Sequence, residues 1–70
     1  MKAAKLIKMA NQIGAFFEAM PDREQAVKDV AAHIQKFWDP RMRSGLQEHV
    51  TSEALSPIVR DALRIVPKVA

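Results

Sequence analysis

Residues 36–43 read KFWDPRMR, and this stretch decides the fold because it contains a helix break. Proline disfavours helical geometry in the residue before it and has no backbone N–H to donate, so the helix that enters the stretch should end near Trp38. Proline also suits the first position of a new helix, and aspartate suits the cap before it. The sequence therefore predicts a corner at Asp39-Pro40, with Phe37 and Trp38 locking it into a core.

This corner has two interpretations. In the first, it is a structural corner only. In the second, it also presents Trp38 with Arg41 or Arg43 to a partner protein, because tryptophan and arginine are the residue types most enriched among the energetic anchors of interfaces. These three residues are therefore candidate partner-binding residues.

Elsewhere the apolar residues recur at the three- and four-residue spacing of amphipathic helices. Two further breaks, at Pro21 and Ser56-Pro57, place a capping residue beside a proline, and Asp22 with Gln25 has the spacing of a capping box. We find no strand signal and no internal repeat. We expect an all-α fold, a small helical bundle of three to four helices in a single domain, residues 1–70. The predicted helices are Lys2–Met20, a helix capped by Asp22 and ending near Trp38, Pro40–Val50 and Pro57–Val66.

Each predicted helix has a stripe of apolar residues that should face the core. The stripes of the first two helices include all three phenylalanines, whereas Arg60 and Arg64 should point outward from the fourth helix. The stripes are Leu6, Met9, Ile13, Phe16, Phe17 and Met20; Val27, Val30, Ala31, Ile34, Phe37 and Trp38; Met42, Leu46, His49 and Val50; and Ile58, Val59, Ala62, Leu63 and Val66.

The other side of the first helix carries small residues where long charged side chains are usual. Gly14 costs a helix about 1 kcal/mol relative to alanine, which favours a packing reason for it. Asn11 is not a residue chosen for helix propensity, and its amide suits a backbone contact. We therefore expect Asn11, Gly14 and Ala15 to contact a partner. The alternatives are that the alanines are simply good helix formers and that Asn11 faces solvent.

The composition is that of one small globular domain, with 49% hydrophobic and 27% charged residues. A core of this size supplies little stability without a staple. The chain has no cysteine, so it can form neither a disulfide nor a thiolate metal or iron–sulfur site. We expect another chain to be the staple, and self-association of the isolated protein is one alternative.

Motifs of catalysis are missing from the sequence. It contains no glycine-rich phosphate loop, no nucleophile with a base at motif spacing and no cluster of metal ligands. His33 and His49 have no ligand partners arranged around them, and nothing pairs two carboxylates for acid–base work. We expect no catalytic, cofactor-binding or metal-binding residue in this chain.

The net charge of +3 comes from interspersed charges. The basic groups Lys2, Lys5 and Lys8, and Arg41 with Arg43, are too small to form the basic stripe typical of nucleic-acid binding. No run of about 18 apolar residues exists that could span a membrane, and polar residues interrupt the basic start where a signal peptide would be apolar. We expect no nucleic-acid or membrane partner and a cytoplasmic location.

Several segments combine into a recognisable pattern. They are KMANQI at residues 8–13 with Phe16-Phe17, His33-Ile34 leading into KFWDPRMR, Leu46 with His49-Val50, and LSP at 55–57 with Val59, Ala62 and Leu63. This combination resembles the delta subunit of NAD-dependent formate dehydrogenase, the small accessory subunit of the cytoplasmic molybdenum or tungsten enzymes. The resemblance covers about Lys5 to Leu63, and departs from the family at residues 51–54, TSEA, where the family is often glycine-rich.

The resemblance implies an accessory role. In such complexes a large alpha subunit, holding a bis-pterin molybdenum or tungsten centre and iron–sulfur clusters, oxidises formate to carbon dioxide. Electrons then pass to subunits that carry FMN and further clusters, where NAD is reduced. The resemblance supplies no catalytic residue to this chain, and the absence of cysteine agrees with a subunit that carries no cluster.

We therefore expect a non-catalytic accessory subunit that binds the alpha subunit and its complex, and that stabilises the complex or helps to assemble it. The alternative is a small free-standing helical regulator that binds nucleic acid. Co-purification with a large iron–sulfur protein would favour the first, and salt-sensitive retention on DNA would favour the second.

Overall fold

The computed structural model describes residues 2–67, which measure 32 × 22 × 19 Å and contain four helices. These are α1 (Ala3–Glu18), α2 (Arg23–Phe37), α3 (Pro40–Gln47) and α4 (Pro57–Ile65). The predicted all-α bundle is confirmed. The ends of the predicted domain, Met1 and residues 68–70, lie outside the described residues.

Two aspartates begin helices as the sequence predicts. The Asp22 Oδ1 atom accepts a hydrogen bond from the backbone N–H of Gln25 at 3.1 Å, and the Asp39 Oδ1 atom accepts one from the N–H of Met42 at 2.9 Å. Each bond satisfies an N–H group that the first turn of a helix leaves without a partner. Trp38 adopts an extended conformation between α2 and α3, so the predicted corner is confirmed.

The core is centred on α4, which packs against both α2 and α1. All five residues that the sequence assigned to the inner side of this helix are buried: Ile58, Val59, Ala62, Leu63 and Val66. Leu46 of α3 is also buried in the core, as is Leu55 of the connector that joins α3 to α4 (residues 48–56). The α-helix of α3 ends at Gln47, and turns continue the chain to Val50 where the sequence predicted helix.

The prediction of which α1 residues face the core is wrong in part. The buried residues of α1 are Leu6, Ala10 and Gly14, whereas Phe16 is 75% exposed. The reason is the close approach of α4: a Cβ atom on Gly14 would lie 2.8 Å from Ile58 Cγ2 and 2.9 Å from Val59 Cγ2. The small-residue side of α1 therefore packs against this chain's own last helix, and Phe16 is left outside. The rest of the predicted stripe is confirmed: these residues are buried or pack against the core, namely Leu6, Met9, Ile13, Phe17 and Met20.

Two predictions about side chains near the corner and α4 are also wrong. Phe37, assigned to the core, is 67% exposed, because the last turn of α2 directs it away from the neighbouring Trp38, which is 6% exposed. Arg60, assigned to the outer side, is half-buried. Its Nη2 atom donates to the carbonyl oxygens of Ser52 at 3.0 Å and Leu55 at 3.3 Å, which hold the guanidinium against the chain before α4.

Candidate protein-binding groove

Four aromatic rings form a continuous row across the α1–α2 pair. The centroids of Phe16 and Phe17 are 5.2 Å apart with perpendicular planes, those of Phe17 and His33 are 6.3 Å apart, and those of His33 and Phe37 are 4.8 Å apart. These separations are the ones at which aromatic pairs attract each other beyond their apolar contact. We call Phe16, Phe17, His33 and Phe37 the aromatic row.

A groove of about 470 Å³ lies beside the aromatic row. Its walls are apolar apart from Gln12 and His33, and Met9, Ile13 and Trp38 complete them. Pockets of this volume with mostly apolar walls and a few polar groups are typical binding sites. Met9 adds an adaptable surface, because an unbranched thioether side chain can adjust its shape to what it contacts.

The row includes the two most exposed large apolar side chains of the described residues, Phe16 at 75% and Phe37 at 67%. Covering both rings would remove roughly 300 Å² of apolar surface from water, taking about 200 Å² for a whole ring. At about 25 cal/mol per Å² the gross gain is about 7 kcal/mol, before the costs of association are subtracted. These rings are therefore the strongest candidates for a binding surface in this part of the chain.

The charged side chains around the groove are mainly basic. The Lys36 Nζ atom lies 5.7 Å from the centroid of the Phe37 ring, where the ring's negative face attracts a cation. On α1, Lys5 shares the face of Met9, Gln12 and Phe16 by three- and four-residue spacing. Neither lysine forms an ion pair with a carboxylate of residues 2–67.

One carboxylate stands on the α2 side of the groove, and it is already engaged. Asp29 lies one helical turn before His33, and its Oδ1 atom accepts a hydrogen bond from Gln25 Nε2 at 2.9 Å. The four-residue spacing of Asp29 and His33 would allow the two to pair, but His33 instead lies between two phenylalanine rings. Because the Gln25 amide is neutral, Asp29 keeps its negative charge, and the rim carries the two positive charges of Lys5 and Lys36 against this one.

The structure places two of the predicted partner-binding residues against this chain itself. Asn11 Nδ2 donates to the carbonyl of Ala54 at 2.8 Å, and Asn11 Oδ1 accepts from the N–H of Ser56 at 2.9 Å. Gly14 is buried beneath α4. The amide does make the backbone contact inferred from the sequence, and the backbone belongs to the connector before α4. A contact between these residues and another protein stays a prediction.

The remaining predicted partner-binding residues do not share the surroundings of Asn11 and Gly14. Ala15 and Arg41 are exposed, and Arg41 borders a smaller depression with Leu6 and Gly45. Trp38 is buried and reaches the groove as one of its walls. The half-buried Arg43 has an Nε atom without a hydrogen bond in the described part of the chain. The predicted set therefore divides between two sides of the molecule.

The sequence analysis missed Phe16, His33 and Phe37 as surface residues, although one signal was present. Phe16-Phe17 and Phe37-Trp38 are adjacent pairs, and neighbouring side chains on a helix diverge by about 100°. Both members of such a pair cannot point to the centre of one small core. Which member turns outward depends on the tertiary contacts, in particular on the approach of α4 to Gly14.

Two other kinds of feature are absent from residues 2–67. No group of three or more histidine, aspartate or glutamate side chains is placed to hold a metal ion. None of the helices in this range combines the length and apolar character that crossing a membrane requires.

Comparison with known proteins gives one family. A model of the family described as NADH-dependent formate dehydrogenase delta subunit FdsD matches residues 5–63. No curated protein and no solved structure matches the chain. The matched range contains α2, α3, the connector and most of α1 and α4, and therefore includes the aromatic row and the groove.

Proposed function

Because the chain belongs to the family of NADH-dependent formate dehydrogenase delta subunits, we propose that it is an accessory subunit of such a complex in the cytoplasm and takes no part in the chemistry. It binds the catalytic alpha subunit, and it stabilises the complex or helps to assemble it. The resemblance stated from the sequence is confirmed by the family match over residues 5–63.

The observation that carries this proposal is the exposed aromatic row of a chain that belongs to a multisubunit oxidoreductase. Phe16 and Phe37 leave apolar surface in water that a small domain would bury if it acted alone. In this proposal the other subunits carry the molybdenum or tungsten pterin centre, the iron–sulfur clusters and FMN. This chain has no cysteine with which to hold a cluster.

The test is co-expression of the tagged chain with the formate dehydrogenase subunits of the same organism. We expect the alpha subunit to be retained with the tagged chain at a salt concentration that screens surface charges. A tagged chain that elutes without any of the subunits would contradict the proposal. Salt-sensitive retention on duplex DNA in the same preparation would favour the nucleic-acid regulator instead.

A second comparison separates stabilisation from assembly. The complex is produced with and without the chain, and its molybdenum or tungsten content and its formate-dependent NAD reduction are measured. Purified chain is then added to the complex that was produced without it. If the chain assists assembly, metal content is low without it and later addition restores little. If the chain stabilises the finished enzyme, later addition lengthens the half-life of activity.

A further inference from the structure

The groove beside the aromatic row has the form of a docking site for one segment of another protein. We infer that its occupant is an amphipathic helix of a larger subunit of the complex, with apolar side chains on one face and carboxylates flanking them. This inference rests on the proposed function, and it adds the surface that is used and the chemistry of the segment that binds.

The first argument is that the groove is preorganised. Phe17 is half-buried and packed against the core, and it contacts the exposed Phe16 on one side and His33 on the other. The exposed Phe37 contacts His33 and directly precedes the buried Trp38, which anchors the end of α2 in the core. Rings that are already held by their neighbours lose little conformational freedom on binding, which favours affinity.

The second argument is the shape of the surface. The groove runs between two helices, α1 and α2, and its volume of about 470 Å³ is lined mainly by apolar side chains. A groove between helices is the recurring receptor for one face of a third helix, whose anchors repeat at three- and four-residue spacing. The polar side chains of Gln12 and His33 provide the few hydrogen-bonding groups that would fix its position.

The third argument is charge complementarity. Lys5 and Lys36 flank the groove from α1 and α2, and among the described residues neither has a carboxylate partner. The nearby Asp29 carboxylate, hydrogen-bonded to the neutral Gln25 amide, offsets only one of these two positive charges. Opposite charges at the rim steer the encounter and select the partner. The occupant should therefore carry aspartate or glutamate beside its apolar face.

The same features disfavour a second copy of this chain as the occupant. In a two-fold dimer the same patch meets itself, which would bring Lys5 and Lys36 of both copies to one rim. Covering Phe16 and Phe37 would bury roughly 300 Å² per copy, well below the roughly 800 Å² per partner of a stable interface. A larger subunit can contact this chain beyond the groove and so bury more area. A symmetric copy can add only the contacts that the surface around the groove makes with itself.

The experiment replaces the exposed rings and compares them with a matched apolar residue elsewhere. The double variant F16Q/F37Q removes both exposed rings, and Ile65→Gln removes an apolar side chain that is 53% exposed on α4 and outside the groove. Circular dichroism first establishes that both variants retain their helices and melt cooperatively. We expect F16Q/F37Q to bind the co-expressed subunits at least about tenfold more weakly, and Ile65→Gln to bind as the unmodified chain does.

A second pair of variants tests the charge. We expect K5E/K36E to weaken binding by about tenfold, with a loss that shrinks as salt is added, because the reversed charges repel an acidic occupant. The control is Lys28→Glu, a reversal on α2 at a lysine that pairs with Glu24 and does not line the groove, which should change affinity little. Binding of K5E/K36E that is unchanged or tighter would overturn the acidic character of the occupant.

Photo-crosslinking identifies the occupant directly. A photoreactive phenylalanine analogue at position 16 should attach to one segment of a larger subunit whose sequence has helical apolar spacing and an excess of aspartate and glutamate. A concentrated sample of the free chain should be monomeric by analytical ultracentrifugation. A dimer that is lost in F16Q/F37Q would assign the groove to a second copy and overturn the inference.

These outcomes separate the two proposals. If the unmodified chain does not retain the subunits, the proposed function fails, and the docking inference fails with it. If the unmodified chain and F16Q/F37Q retain them equally, the proposed function stands and the groove is not the docking site.

Discussion

At the scale of single residues, neighbours in the sequence have opposite surroundings. Phe37 and Trp38 follow each other, yet one ring is 67% exposed and the other 6%. The difference arises at the end of α2, where Trp38 leaves helical geometry and its side chain turns into the core. Because their burial differs, substitutions of these two adjacent aromatic residues should have very different effects on stability.

We expect Trp38→Ala to cost about 3–5 kcal/mol, the usual loss for a large buried aromatic side chain. A chain of this length has a total stability of about 4–10 kcal/mol, so much of the variant would be unfolded near body temperature. The matched variant Phe37→Ala should cost about 1 kcal/mol or less, because it loses only a partly exposed contact with His33. Thermal melts followed by circular dichroism measure both. Equal losses would contradict the assignment of the two rings.

The two glycines provide a second comparison. In α1, a Cβ on Gly14 would meet the Cγ2 atoms of Ile58 and Val59 at 2.8 and 2.9 Å, and β-branched side chains cannot rotate away easily. Gly14→Ala should therefore lose about 1 kcal/mol, because overpacking exceeds the gain of about 1 kcal/mol in helix propensity. Gly45→Ala meets only Leu6 Cδ1, the mobile end of a flexible side chain, and should be neutral or slightly stabilising. Urea unfolding measures the difference, and a stabilising Gly14→Ala would contradict it.

Gly14 and Asn11 show how much single residues can predict before the fold is known. An unfavourable glycine and an asparagine within a helix indicated close backbone contacts, and both contacts exist. The segment that contacts Asn11 and Gly14 could not be predicted. It lies more than forty residues further along the chain, in α4 and just before it, and local spacing carries no information about such distant contacts. A bulky substitution such as Gly14→Arg would disrupt the core, so it cannot test whether this side of α1 binds a partner. The exposed rings are better positions for such a test.

At the scale of elements, helix beginnings were the most predictable feature. Pro40 and Asp22 mark their helices through local chemistry that acts within four residues, so no tertiary information is needed. Helix ends were less predictable. The helix α3 stops at Gln47 and passes into turns, where the sequence contains no residue that forces an end.

We expect the three N-caps to differ in energy. Asp22→Ala and Asp39→Ala should each cost about 1 kcal/mol, because each carboxylate accepts a hydrogen bond from the first turn of its helix. Ser56→Ala should cost close to nothing. Within residues 2–67, the Ser56 side chain makes no cap bond and its buried hydroxyl has no hydrogen-bond partner. Chemical denaturation of the three variants checks this order, and a loss at Ser56 equal to that at Asp39 would contradict it.

The connector before α4 has backbone turn bonds of its own, and two side chains of the helices add further hydrogen bonds to it. Asn11 holds the backbone of Ala54 and Ser56, and Arg60 holds the carbonyls of Ser52 and Leu55. We expect Asn11→Ala to destabilise the protein by about 1–3 kcal/mol, since a part-buried N–H and a carbonyl lose their partner. Hydrogen exchange should accelerate at the Ser56 amide before it does in α2. Unchanged protection there would show that the connector holds its shape without the amide.

At the scale of the whole molecule, the sequence predicted the number and order of the helices and the inner side of α4. On α1 it predicted most of the inner stripe, since Leu6 is buried and Met9, Ile13, Phe17 and Met20 pack against the core. It did not predict that part of the small-residue side is buried as well, because that depends on the docking of Ile58 and Val59 onto Gly14. With both sides of the helix covered in this way, Phe16 is left exposed although it was assigned to the core.

The purified free chain should contain no stoichiometric metal. It has no cysteine, and within the described residues no three metal-binding side chains are grouped. Elemental analysis for iron, molybdenum, tungsten and zinc after desalting checks the expectation, with the co-purified complex as a positive control. One metal ion per free chain would contradict the assignment of all cofactors to other subunits.

The contact of Gly14 with α4 also has a consequence for the order in which surfaces appear during synthesis. The helices α1 and α2 are translated before α4, and protein domains form as their parts emerge from the ribosome. Until Ile58 and Val59 are available, no helix covers Gly14 on the small-residue side of α1. Arrival of the last helix covers that side and fixes α1 in its final position. A partner that recognises the groove between α1 and α2 should therefore bind chains whose last helix is in place more tightly than nascent or truncated chains that lack it.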